Sequence, residues 1–222
     1  MKNDAFSDNF PNKFFLSEAI HSGMLPLWNP YMNFGFPVYA DPGFAFWNPV
    51  TWLFAIAGYN AYTLTLEVLL YIYLGGIFMY RFCVHVKAER NISIAIAVMY
   101  MCCGFYSGCL QYVNFITAAA FLPLLLQRFM MLQNHPSYKN NFWFAVSLYM
   151  IFVSGHPAIP VASFYFLLLF FVARLLIERN NVQSSKKMLP YIFVSAVIFI
   201  VLWLPALYSY ISVWPLIEKN IA

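Results

Sequence analysis

The sequence predicts an all-α protein: a polytopic transmembrane helix bundle with about six spans and an ordered extracytoplasmic N-terminal loop. Three observations carry this. Of 222 residues, 63% are hydrophobic and only 9% charged, against roughly 25% charged in a soluble domain. The mean hydropathy is +0.69. Apolar runs recur at approximately 61–82, 92–109, 116–132, 142–155, 158–177 and 189–212, and most are long enough to cross a hydrocarbon core of about 30 Å. A water-facing surface cannot be covered by so few charges, so a soluble globular domain is excluded.

In chain order, residues 1–60 form the loop. Residues 11–22 read as a helix, with Pro11 suited to its first turn, Phe14, Phe15, Ala19 and Ile20 as apolar positions, and Gly23 to close it. Residues 23–49 hold five prolines, three glycines and a dense set of aromatic rings. They are too apolar for a solvent loop and too broken for a helix. Prolines fix extended backbone and glycines permit bends, while Trp28, Tyr31, Tyr39, Trp47 and Trp52 suit the headgroup level of a bilayer. The expectation is an ordered wall, followed by a short helix at 50–57. Residues 61–215 then form the bundle, in which the run at 142–155 is short for a span, and residues 216–222 a tail.

Basic residues set the orientation. Arg81, Lys87 and Arg90 follow the first run, Arg128 and Lys139 the third, and Arg174, Arg179, Lys186 and Lys187 the fifth; only Lys2, Lys13 and Lys219 remain of the twelve. The loops 110–115 and 156–157 have none. By the positive-inside rule the alternate basic loops are cytoplasmic, and the N-terminal segment, the uncharged loops and the tail are extracytoplasmic. The chain is expected to cross its membrane many times. Nothing in residues 1–23 would carry the N-terminus outward, so the chain is expected to be part of a longer protein with an upstream span. Cys83, Cys102, Cys103 and Cys109 lack metal spacing and read as small embedded residues. No P-loop, Gly-rich dinucleotide fingerprint or zinc pattern is present, and nothing supports nucleic-acid binding.

The stretch "SGMLPLWNPYMNFGFPVYADPGFAFWNP" resembles the first extracytoplasmic loop of YfhO-type bacterial membrane proteins. "GGIFMYRF" at 75–82, "FLPLLL" at 121–126 and "SGHPAIP" at 154–160 add to the resemblance, which spans most of residues 4–215. It implies a GT-C-type membrane glycosyltransferase. Such an enzyme transfers a sugar from an isoprenoid-phosphate-linked donor to an extracytoplasmic acceptor, here an envelope polymer. The family pattern "D-x-x-x-D-x-x-P" falls on Asp4, Asp8 and Pro11. It implies Asp8 first, and Asp4 second, as a catalytic carboxylate or as a ligand of a divalent cation.

The residues themselves leave alternatives beside that reading. A carboxylate before a helix, as Asp8 is, also serves as its N-cap. Glu67 lies in an apolar run, about one and a half turns from the outer end, where a charge usually faces a cavity. It is a candidate to bind sugar hydroxyls, to pair with His156, or to be a hydrogen-bonded structural glutamate. His156, in a helix-breaking Gly-His-Pro turn, is a candidate for pyrophosphate binding or proton transfer, or for a simple turn hydrogen bond. His21, beside Glu18, has a weaker case. Trp28, Asn29, Asn33, Asp41, Gln111, Tyr112 and Asn114 are outer-face groups of the kinds that stack on and hydrogen-bond sugars; equally, Trp28 anchors to headgroups and Asn29 makes the turn before Pro30. The basic loops are expected to contact anionic membrane lipids. The alternative functions are a lipid or envelope-precursor transporter using Glu67, or a non-catalytic membrane assembly subunit.

Overall fold

Every apolar run is helical in the computed structural model, which describes residues 9–31, 35–156, 158–177 and 182–218. Helix α1 (Phe10–His21) is followed by a two-residue hairpin of β1 (Trp28–Asn29) and β2 (Phe36–Pro37), with Trp28 opposite Pro37 and Asn29 opposite Phe36. Two 3-10 turns come next, Val38–Ala40 and Pro42–Phe44. The rest is helical: α2 (Pro49–Ala57), α3 (Ala61–His85), α4 (Arg90–Met101), α5 (Gly104–Gly108), α6 (Val113–Asn134), α7 (Tyr138–Phe152), α8 (Ala158–Ile177) and α9 (Val182–Glu218).

Local chemistry sets these boundaries. Pro11 sits in the first turn of α1, behind an N-cap that is Asn9 and whose side chain makes no capping hydrogen bond. The helix closes as Gly23 and Met24 return their N–H groups to Ile20 and Ala19. Both Trp-Asn-Pro triplets form the same turn. Asn29 Oδ1 accepts from Tyr31 N–H and Asn48 Oδ1 from Val50 N–H, each at 3.0 Å. The second of these starts α2 with proline in its first turn. Asn60 caps α3 through the N–H groups of Tyr62 and Thr63, and Thr63 Oγ1 returns the bond to Asn60 N–H.

Four helical stretches among the described residues are long and apolar enough to cross a membrane: Ala61–His85, Arg90–Gly108, Val113–Asn134 and Pro190–Val213. This marks a membrane protein. The fourth and fifth expected spans are present as helices but are shorter in their apolar part. α7 has 15 residues, about 22 Å at the rise of an α-helix, and the apolar part of α8 is Ala158–Ala173. The outward faces of α3, α4, α8 and α9 carry exposed Leu66, Leu69, Met99, Phe164, Leu169, Val201 and Ile211, among others. Such a surface suits lipid and not water.

Helix α6 is the axle. Of its most apolar stretch 72% is buried, against 33% for α3 and 17% for the span in α9. It packs on α3, α7, α8 and α9. Close approach is made possible at Gly75 of α3, where a Cβ would meet the Tyr106 hydroxyl and, at 3.3 Å, Ala120 Cα of α6. Inside α6, Pro123 has no N–H to give to the carbonyl of Ala119, four residues back. Tyr100 of α4 supplies the missing donor, its hydroxyl reaching Ala119 O at 2.9 Å. A second polar tie joins α7 to α9, where Ser195 Oγ donates to Asn141 Oδ1 at 2.5 Å.

The Tyr100 bond yields a prediction. Tyr100→Phe strands a carbonyl in an apolar interior and is expected to cost about 1–3 kcal/mol. In a Pro123→Ala background the restored backbone N–H takes over, so the same change is expected to cost less than half as much. A double-mutant cycle of unfolding in mixed micelles measures the difference; equal costs in the two backgrounds contradict the assignment.

Candidate functional site

Two ends of the bundle differ in chemistry. One gathers the start of α3, the start of α6 and the end of α7 under the segment 23–60. Tyr149 of α7 donates to Trp47 O at 2.7 Å, and Asn48 Nδ2 donates to the Tyr71 hydroxyl of α3 at 2.9 Å. The indoles of Trp47 and Trp52 are tied to Tyr39 O and Phe46 O. The described part of the segment is therefore a cap tied to α3 and α7 as well as to itself. The other end gathers Arg81, Arg128 and Lys139 around one cavity, with His85 close enough to Arg128 and His135 to feel their charges. Arg81, Arg128 and Lys139, from two of the basic loops in the sequence, thus share one end in space.

At the capped end, three of the sequence candidates converge. Asp41 Oδ1 accepts from Gly43 N–H at 2.7 Å, starting the second 3-10 turn. The carbonyl of Gly43 accepts from Asn114 Nδ2 at 3.1 Å. Asn114 lies beside Gly155, where φ is +93° and a Cβ would strike Pro42 O. That contact requires glycine and seats the 154–156 turn against the cap. His156 comes directly after it. Its ring lies 4.0 Å from that of Phe115, and Nδ1 accepts from Ala158 N–H at 3.4 Å. With Nδ1 accepting, a neutral imidazole carries its proton on Nε2. Tyr210 of α9 is near enough to Asp41 to feel its charge.

The remaining candidates fall elsewhere. Asn29 is 3% exposed and its oxygen is used in the turn before Pro30; Trp28, beside it, is exposed. His21 Nδ1 lies 2.8 Å from Ser17 O on its own helix. Asp4, Asp8 and Asn33 lie outside the described residues.

Glu67 does not pair with His156. Its Oε2 is 2.6 Å from Lys13 Nζ, and both side chains are closed to water. The Tyr59 hydroxyl donates to the same oxygen at 2.9 Å. Burial, and then the charge of Glu67, push the Tyr59 phenol far above its ordinary range, so it remains a donor at any working pH. Ser17, one turn after Lys13, donates to Ala55 O and accepts from Tyr59 N–H. It thereby satisfies backbone groups at the α2–α3 turn. Helix α1 consequently turns its polar side inward. Asn12, Lys13 and Ser17 are buried, as Leu16 and Ala19 are, while Phe14 is exposed. Sequence reasoning gave Lys13 no role. The available signal was that Lys13 and Ser17 are four residues apart on one face of a helix in a chain with a lone intramembrane carboxylate.

Metal chemistry was expected of Asp4 and Asp8. Among the described residues no three His, Cys, Asp or Glu side chains come together as a metal site, so no step through a cation is derived. Compared with known proteins, the chain matches no family model, no curated protein and no solved structure.

The ion pair yields the prediction for this site. Lys13→Ala leaves a buried carboxylate uncompensated and is expected to cost about 3–5 kcal/mol, whereas Lys13→Met with Glu67→Leu is expected to recover most of that loss. Unfolding midpoints give the stabilities. Proteolysis within 23–49 should be accelerated in the single variant and near normal in the double.

Proposed function

We propose that the protein is a membrane glycosyltransferase, moving a sugar from a lipid-phosphate-linked donor to an acceptor at the capped end of the bundle. The observation that carries this is the meeting of Asp41, Asn114 and His156 from three separate segments, at the end away from the basic loops. By the positive-inside rule that end faces out of the cytoplasm, where a lipid-linked donor and an envelope polymer acceptor would meet. The YfhO-type resemblance of residues 22–49 points the same way.

In this reading Asp41 takes the proton of the acceptor hydroxyl as its oxygen bonds to the anomeric carbon. The bond from that carbon to the lipid phosphate breaks, and the phosphate leaves with its electron pair. His156 Nε2–H donates to the leaving phosphate oxygen. Asn114 is a positioning residue: its bond to Gly43 O holds the turn on which Asp41 sits. Exposed Trp28 and Tyr31 offer ring faces of the kind sugars stack on. The sequence pattern assigns Asp8 and Asp4 as further candidate carboxylates for the same reaction. The transporter alternative drew on Glu67, which is engaged by Lys13 and Tyr59.

Transfer from a radiolabelled lipid-phosphate sugar is measured in vesicles holding the full chain. Asp41→Asn and His156→Gln are each expected to lower it about 100-fold or more, with insertion and unfolding midpoint unchanged. Asp8→Asn is assayed beside them, and the Lys13→Met/Glu67→Leu protein serves as the active control. Activity that survives all three substitutions removes the capped end as the reaction site.

A further inference from the structure

At the opposite end, α3, α6 and α7 enclose a cavity of about 550 Å³, within the roughly 300–1,000 Å³ of small-ligand sites. Arg81, Arg128 and Lys139 line it, with Phe78, Phe121 and Trp143 as walls. Arg128 is the unusual member. It is 8% exposed, its Nε has no hydrogen-bond partner, and Nη1 meets only Met131 Sδ, at 3.7 Å. Its guanidinium lies 5.7 Å from the centroid of the Trp143 ring. The ion pair formed among the described residues is Lys13–Glu67, so none of the described carboxylates offsets Arg128. Arg81 is close enough for its like charge to be felt there, and Gln127 Nε2 holds the Arg81 carbonyl at 3.0 Å, fixing the two helices together.

A buried guanidinium is costly unless an anion meets it. Two further cations at the same opening raise that cost, and together the three create a strong preference for a negatively charged ligand. A guanidinium fork and an ammonium suit phosphate oxygens. The aromatic walls suit something else, an apolar extension that a free phosphate lacks. We propose that this cavity binds the phosphodiester headgroup of an anionic phospholipid, with Arg81, Arg128 and Lys139 around the phosphate and the upper acyl chains against Phe78, Phe121 and Trp143. The site lies at the end away from Asp41 and His156 and does not depend on the sugar-transfer reading.

The test uses the full chain in neutral detergent. It is titrated separately with dioctanoyl phosphatidylglycerol, dioctanoyl phosphatidylcholine and inorganic phosphate, and bound lipid is counted by native mass spectrometry. Arg128→Gln alters a buried side chain, so the deciding variant is Arg81→Gln/Lys139→Gln, in which both altered residues are exposed. Phosphatidylglycerol is expected to bind saturably, one per chain, at least tenfold tighter than phosphatidylcholine. The double variant is expected to weaken it about 30-fold, the loss of two headgroup cations, without changing phosphatidylcholine binding. Equal binding of the two lipids, or an unchanged phosphatidylglycerol affinity in the double variant, overturns the site. Inorganic phosphate that binds as tightly as phosphatidylglycerol overturns the assignment to a lipid. None of these readouts involves transfer, so failure here and failure at the capped end are separate results.

Discussion

The contact between Lys13 and Glu67 ties the N-terminal third of the chain to the bundle. In an apolar interior an unpaired carboxylate is expensive, and so is an unpaired ammonium. Each is tolerable only where the other is. The pair therefore fixes α1 against α3, and the position of α1 in turn organises the α2–α3 turn and the cap. It brings Ser17 under that turn, where Ala55 O and Tyr59 N–H need partners. It also sets Tyr59 beside Glu67 as a second donor. The cap over residues 23–57 is strung between this anchor and the ends of α6 and α7, where Asn114 and Tyr149 hold it.

The same demand, that no polar group be left bare, shapes the bundle itself. A proline in the middle of a buried helix ordinarily leaves an orphan carbonyl and a kink. Here α6 keeps Pro123 because a tyrosine from a neighbouring helix reaches the exposed oxygen. Tyr100 can do so because α4 and α6 both pack closely on α3, and Gly75 lets α3 approach the backbone of α6. Between apolar helices in lipid there is little hydrophobic gain from association, so close packing and a few interhelical hydrogen bonds carry it. Tyr100–Ala119 and Ser195–Asn141 are such bonds.

Much of this was legible from the chain. The apolar runs became the helices, Pro11 and Gly23 bracketed α1, and 50–57 became α2. Arg81, Arg128 and Lys139, from two of the basic loops, share one end because short turns force neighbouring helices antiparallel. Periodicity could not reveal which face of α1 turns inward. Asn12, Lys13 and Ser17 look like a solvent face, yet they are buried because their partners, Glu67 and the α2–α3 turn, are supplied by tertiary contact. Nor could the spacing show Glu67's partner, which lies 54 residues away. The capped site was half legible. Asp41, Asn114 and His156 were each visible as outer-face groups, but their meeting depends on Gly155 admitting Pro42 O, a contact between segments more than a hundred residues apart.

Glu67 and Arg128 are both buried charges in apolar helices, and the contrast between them separates architecture from recognition. Glu67 has an internal counter-charge and an internal hydrogen-bond donor, both on Oε2, so its charge is offset within the fold although Oε1 has no partner among the described residues. Arg128 has an aromatic face, a thioether and a neighbouring cation, none of which offsets its charge. A fold that buries an arginine this way is stable if something beyond its described neighbours supplies the missing negative charge, or if the rest of the bundle absorbs the penalty. The second option is harder to sustain when Arg81 and Lys139 converge on the same opening, because each adds a like charge beside a guanidinium that has already lost its water. Three cations held around one cavity, walled by rings that water does not favour, make sense as half of an interaction whose other half carries both a negative charge and an apolar tail.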